Sequence, residues 1–253
     1  MAARIKHIAT MSQNSPRLRS FYELLFNLTR PAAETSHERA EEVGKAFGYP
    51  VLSSRRVARP FSGTVWGVDG NIGLSFNRRR PGFPGGLDHL GLEVDDIDLV
   101  QSRNKEKYPD VGIVKRPVAR TFAYYSTHDP EGNLIDIVQP GLQKKRYQEW
   151  ADDGPDRQRF ISHLAIRAMK PPRLAEFYVE IYGFQPQETG SEDPNFYLSD
   201  GRVTLVLMPW RIEQYHETEH RGPGLDHIGF KVESVEAFKR DVELVTSVDA
   251  EWL

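Results

Sequence analysis

A nine-residue segment occurs twice in the chain, as GLDHLGLEV at residues 86–94 and as GLDHIGFKV at residues 224–232. Both copies place a histidine near the start of an apolar segment that is typical of a β-strand. A second pair of segments also matches, because residues 5–26 align with residues 161–182 and share a histidine, a Pro-Arg-Leu and a Phe-Tyr. Internal similarity of this kind predicts that the chain is built from repeated structural units.

The repeats predict two similar halves, at residues 1–142 and 158–253, each a domain of two smaller units. Residues 143–157 between them are polar and charged, contain a Gly-Pro, and are predicted to be a linker. Each unit is predicted as a strand, a helix and then two or three strands. The first helix is expected to begin at Pro16, with Ser15 as its N-cap.

The composition excludes several classes of function. The chain has 253 residues, a formal net charge of −3 and no cysteine. The missing cysteines exclude disulfides and a thiolate nucleophile. Without a strongly basic face, nucleic acid and an anionic membrane are not expected as partners. The sequence shows no signal peptide and no apolar membrane span, so we expect a cytoplasmic protein.

These motifs resemble the vicinal oxygen chelate superfamily, which includes glyoxalases, extradiol dioxygenases and bleomycin-resistance-type binding proteins. The resemblance is carried by HLAI and RLAEFYVEIYGF within residues 163–184, by the two LDH strands, and by DPEGNLIDIV at residues 129–138. It implies an α+β fold of tandem βαβββ units, in which two units pair to form a curved mixed sheet around a metal cavity.

The resemblance also implies a set of metal ligands in each half. In the first half the matching residues are His7, His89 and Asp136, and in the second half they are His163 and His227. Two imidazoles and one carboxylate on one face are typical of Fe(II), and Mn(II) is the alternative. The family usually has Glu where this chain has Asp136, and the shorter side chain is a concern because ligand distances vary by only about 0.2 Å.

The fourth unit is expected to be incomplete. Its opening strand and helix are followed by the end of the sequence at Leu253, before the position of the third ligand. Three explanations are open: the sequence is a fragment, it is a shortened variant, or another protomer of a homo-oligomer completes the unit. Truncation is favoured.

Residues for acid–base chemistry differ from the family pattern. Ring-cleaving relatives carry a tyrosine where this chain has Ser126, and a histidine where it has Asn71. Nearby side chains that can exchange protons are the candidates to replace them. In the first half these candidates are Tyr124, Tyr125 and His128, and in the second half they are His216 and His220.

The resemblance favours an extradiol dioxygenase that binds Fe(II) and acts on a small aromatic diol and O₂. A lyase or isomerase of glyoxalase type uses similar ligands for Lewis-acid chemistry and is an alternative. A non-catalytic protein that sequesters a small molecule is a third possibility, and the four retained histidines favour an enzyme over it.

Overall fold

The computed structural model describes residues 3–29, 64–79, 81–116, 123–140, 158–213 and 222–248. The predicted linker therefore lies outside the described residues. In the first half the elements are β1 (Arg4–Ser12), α1 (Ser15–Phe26), β2 (Val65–Val68), β3 (Gly73–Arg78), β4 (Gly86–Glu93), α2 (Ile97–Lys107), β5 (Val114–Lys115), β6 (Tyr125–His128) and β7 (Leu134–Val138). In the second half they are β8 (Phe160–Ala168), α3 (Pro171–Tyr182), β9 (Gln185–Pro186), β10 (Phe196–Ser199), β11 (Thr204–Pro209), β12 (Gly224–Lys231) and α4 (Val235–Val248).

The strands of the first half form a seven-stranded mixed sheet in the order β2-β3-β1-β4-β7-β6-β5. Its centre is the antiparallel pair of β1 and β4, which are the two opening strands predicted from the repeats. Strand β7 pairs parallel with β4 on the other side. The three strands that carry the predicted ligands of this half are therefore neighbours.

The strands of the second half form a five-stranded sheet in the order β12-β8-β11-β10-β9. Its opening strands pair in the same way as those of the first half, because β12 is antiparallel to β8 and β11 is parallel to β8. The register is also the same: Ala9 faces His89 in the first sheet, and Ala165 faces His227 in the second. Among the described strands, β12 lies at the edge of its sheet. The α+β class and the mixed sheets agree with the prediction.

Helix α1 begins one residue earlier than the sequence predicted. The side chain of Asn14, and not that of Ser15, accepts a hydrogen bond from the Arg17 N–H and caps the helix. Ser15 is the first helical residue and is buried. Among the described residues, no helix is long and apolar enough to cross a membrane.

Two turn aspartates link the halves reciprocally. The Asp200 carboxylate accepts a hydrogen bond of 2.7 Å from the Ile5 N–H on β1, and the Asp69 carboxylate accepts one of 2.7 Å from the Ile161 N–H on β8. The other oxygen of each aspartate accepts from two backbone N–H groups of its own turn. Each hairpin turn therefore holds the opening strand of the other half.

The DPEGN turn between β6 and β7 also contacts the second half. The Tyr178 hydroxyl donates to the Asp129 carboxylate at 3.0 Å. Glu131 accepts hydrogen bonds of 2.7 Å from the N–H groups of Met169 and Lys170, directly before α3. A carboxylate at a helix N-terminus is stabilised by the unpaired N–H groups and the helix dipole. The motif therefore helps to dock the two halves.

Candidate metal centre

Three of the predicted ligands meet at one place on the first sheet. The ligand atoms of His7, His89 and Asp136 all lie within 4.8 Å of one another. The His89 Nε2 lies 3.4 Å from the Asp136 Oδ2, and the rings of His7 and His89 have centroids 5.3 Å apart at an angle of 89°. Two ligands at right angles on one ion, each about 2.1 Å away, lie about 3 Å apart. The shorter side chain of Asp136 therefore reaches the position where a third ligand is needed.

The strand register explains this meeting. His7 on β1 faces Gly91 on β4, and Gly91 faces Asp136 on β7, so the three residues form a row across the sheet. His89 precedes Gly91 by two residues and lies on the same face, because side chains alternate along a strand.

The glycine in this row gives the His7 ring its space. A Cβ atom built on Gly91 would lie 1.9 Å from the Cε1 and Nδ1 atoms of His7. The second sheet repeats the arrangement, because a Cβ on Gly229 would lie 1.8 Å from the Cε1 of His163. Both glycines lie within the repeated segment, but no role was predicted for them from the sequence.

The aspartate before His89 and the aspartate before His227 orient these two histidines. The His89 Nδ1–H donates to the Asp88 carboxylate at 2.6 Å, and the His227 Nδ1–H donates to Asp226 at 2.6 Å. This hydrogen bond fixes the tautomer that leaves the lone pair on Nε2, as is common for metal-binding histidines. The aspartate of the repeated LDH triplet is the sequence signal for this role.

Two side chains hold the Asp136 carboxylate. The Ser126 hydroxyl donates to Oδ1 at 2.7 Å, and the Arg116 Nη1 donates to Oδ2 at 2.7 Å. Ser126 faces Asp136 directly in the β6–β7 pair. Arg116 was not among the residues predicted from the sequence.

The imidazoles are suited to bind a cation. Burial lowers the pKa of His7 well below its ordinary value, and the charges of His89 and Arg116 lower this pKa further. His7 is therefore neutral at pH 7, which is the form that binds a metal. With one carboxylate beside two imidazoles, the donor set fits a divalent metal ion.

The histidines of the second half form a similar but more open pair. The Nε2 atoms of His163 and His227 are 3.3 Å apart, and the two rings have centroids 5.3 Å apart at an angle of 87°. The His227 side chain is 47% exposed, against 18% for that of His89. Among the described residues, no carboxylate joins this pair as a third ligand.

The acid–base candidates lie in different places. His128 follows Ser126 by two residues on β6 and shares its face, and its Nδ1–H donates to the Asp129 carbonyl at 2.7 Å. Tyr125 lies on the other face, opposite Ile137, and packs against the hydrophobic core. Tyr124 directly precedes β6, and its carbonyl accepts from the Arg116 N–H. His216 and His220 lie outside the described residues.

Comparison with solved structures identifies the fold. The Mn(II)-bound glyoxalase from Novosphingobium aromaticivorans is similar with a TM-score of 0.62 and 14% identity, over 98% of this chain and 71% of that chain. The 2,3-dioxygenase LapB from Pseudomonas sp. KL28 has a TM-score of 0.58 and 14% identity, over 98% of this chain and 80% of that chain. The 2,2',3-trihydroxybiphenyl 1,2-dioxygenase from Sphingomonas wittichii strain RW1 has a TM-score of 0.56 and 13% identity, over 98% and 80%.

No protein-family model matches the sequence, and no curated protein matches it. The structural likeness extends over nearly the whole chain, and at these identities it shows the fold. The chain therefore has the vicinal oxygen chelate fold, as the sequence motifs predicted. Within that fold, the structures similar to it include an Mn(II)-bound glyoxalase and two dioxygenases.

Proposed function

We propose that this protein is a metal-dependent enzyme, and that it is a dioxygenase of the extradiol type acting on a small aromatic diol and O₂. The observation that carries the proposal is the convergence of His7, His89 and Asp136 from three neighbouring strands. The dioxygenases among the similar structures support the choice of reaction. Fe(II) is the proposed metal, with Mn(II) as the alternative.

The three residues would hold the ion on one face. When bound there, Fe(II) would supply open coordination positions for the two substrate oxygens and for O₂, together with redox chemistry. The chain itself keeps His7 neutral by burial, and Ser126 and Arg116 hold the Asp136 carboxylate in place by hydrogen bonds. It also orients His89 through Asp88.

His128 is the proposed acid–base residue. Its Nδ1–H is committed to the Asp129 carbonyl, so the neutral ring has its lone pair on Nε2 and can accept a proton. Two residues along a strand correspond to about 6.6 Å, so His128 would act on a substrate atom beyond the metal-binding oxygens. Tyr124 is the alternative in the same region, and His216 and His220 stay predictions for the second half.

For the second half we propose that His163 and His227 are two ligands of an equivalent site. Their matched geometry and the Asp226 contact support this role. The division into domains at residues 1–142 and 158–253, the cytoplasmic location and a homo-oligomeric state stay predictions.

A glyoxalase-type isomerase or lyase is the second candidate. It is favoured by the likeness to the Mn(II)-bound glyoxalase and by Ser126, because the tyrosine expected of ring-cleaving enzymes is replaced there. A protein that only sequesters a small molecule is the third candidate. A protein that only sequesters a small molecule would not require two imidazoles and a carboxylate at one place.

Oxygen uptake tests the leading proposal. Anaerobically purified protein loaded with Fe(II) is mixed with a panel of catechols, and a His89→Ala variant serves as the matched inactive control. We expect oxygen uptake and a yellow ring-cleavage product from the parent alone. If no catechol causes oxygen uptake, but the Mn(II)-loaded protein isomerises a thiol–oxoaldehyde adduct, the glyoxalase type is favoured. If the protein is inactive in both assays, the binding protein is favoured.

A further inference from the structure

Arg116 lies next to the candidate metal centre. In the proposed function its one role is its contact with Asp136. We propose that Arg116 binds an anionic group of the substrate, and so selects aromatic diols that carry a carboxylate. The proposal rests on the proposed function, because it names the substrate class of that same site.

The backbone places Arg116 on the face of the sheet that carries the ligands. Its N–H donates to the Tyr124 carbonyl at 2.8 Å, which continues the β5–β6 pairing by one residue. Since Lys115 faces Tyr125, which lies on the core side, the alternation of a strand puts Arg116 on the opposite side, with Ser126 and Asp136. The 2.7 Å contact with Asp136 agrees with this direction.

Most N–H donors of the Arg116 guanidinium have no acceptor among the described residues. A guanidinium has five N–H donors in a planar fork that suits a carboxylate. One nitrogen of Arg116 donates to Asp136, and across the described residues no other acceptor contacts it. The side chain is 23% exposed, so part of the guanidinium is accessible to a ligand.

Arg159 shows what a purely structural arginine looks like in the same protein. Its guanidinium is 6% exposed and is held by Glu233, Asp241 and the Leu25 carbonyl. All three of its nitrogens are engaged. By contrast, the Arg116 guanidinium has Asp136 as its one acceptor among the described residues.

The charge of the site points to the same substrate class. The positive charge of Arg116 lies beside the Asp136 carboxylate. Asp88 contacts the far edge of the His89 ring. With one carboxylate among its three ligands and a cation beside that carboxylate, a divalent ion would keep a net positive charge at the site. A diol that loses a proton compensates part of this charge, and a ring carboxylate compensates more.

The test compares two probes that differ by one carboxylate. Catechol and 3,4-dihydroxybenzoate are titrated by calorimetry into anaerobic, Mn(II)-loaded protein, so that binding is measured without turnover. The variants are Arg116→Met, which keeps the length, and Arg116→Lys, which keeps the charge. Lys115→Met is the matched control, because it removes an exposed positive charge from the adjacent residue.

We expect the parent and Lys115→Met to bind the carboxylated diol about 10- to 100-fold more tightly than catechol, the range that a charged hydrogen bond supplies. Arg116→Met should lose this preference, because it weakens the carboxylated diol more than catechol, and Arg116→Lys should keep part of it. If Arg116→Met weakens both diols equally, or releases the metal, Arg116 only positions Asp136 and the proposal is overturned. If the parent retains no Mn(II) or binds neither diol, the proposed function fails first and this proposal fails with it.

Discussion

Gly91→Ala is the substitution with the largest expected effect for the smallest change in the chain. The added Cβ would lie 1.9 Å from two atoms of the His7 ring, whereas ordinary contacts begin near 3.4 Å. The ring must therefore move by about 1.5 Å, several times the roughly 0.2 Å that metal–ligand distances tolerate. We expect the variant to lose the metal of the first half.

The surroundings of His7 also set the cost in stability. His7 is 0% exposed, so its ring has no open space into which it can turn. Overpacking of this kind costs about 1–3 kcal/mol of unfolding free energy. Gly229→Ala makes the same change beside His163, which is only partly buried. Because the His163 ring can move toward solvent, we expect a smaller loss there, of less than about 1 kcal/mol.

Gly112→Ala is the control, because its built Cβ meets nothing within 4 Å. Urea unfolding followed by circular dichroism gives the free energies of the three variants, and elemental analysis gives their metal content. The expected order of destabilisation is Gly91→Ala, then Gly229→Ala, then Gly112→Ala. If Gly91→Ala retains both its metal and the stability of Gly112→Ala, the His7 ring does not lie over Gly91 and the geometry of the centre is wrong.

Two further substitutions test contacts outside the ligand set. Asp88→Asn should weaken metal binding about 10- to 100-fold, since His89 loses the carboxylate that orients it, whereas the exposed Asp95→Asn should not. Competition with a chromogenic chelator measures both, and equal affinities would show that Asp88 has no such role. Asp69→Ala and Asp200→Ala should each lower the unfolding free energy by about 1–3 kcal/mol, because each leaves a buried N–H of an opening strand without its acceptor. Urea unfolding measures this, and unchanged midpoints would contradict the reciprocal link between the halves.

The sequence predicted the positions of the histidines well because the repeated segments fix both the strand and its place in the unit. Opening strands that recur with the same neighbours are expected to pair alike, and the structure pairs β1 with β4 as it pairs β8 with β12. The Asp136 position followed from the DPEGN motif. Whether its shorter side chain reached the other two ligands depended on the register of β7 against β4, which the sequence does not show.

Arg116 and the turn aspartates were missed for a different reason. Arg116 reaches Asp136 through the short β5–β6 pairing, and no repeat or motif marks the segment around it. Asp69 and Asp200 were noticed only as parts of turns. Their role depends on contacts with strands about 90 and 200 residues away in sequence, and such contacts arise from tertiary packing. The N-cap at Asn14 differs by one residue from the prediction, which is the usual uncertainty of a helix boundary.

The most direct test of the central claim is the metal content of three matched proteins, purified without oxygen and analysed for all divalent metals. The proteins are the parent, His89→Ala and His227→Ala, and each variant changes the equivalent histidine of one half. We expect at least one bound ion per chain in the parent, one ion fewer per chain in His89→Ala than in the parent, and at least one ion per chain in His227→Ala. A parent without stoichiometric metal, or a His89→Ala variant that binds as much metal as the parent, would contradict the assignment of the centre to His7, His89 and Asp136.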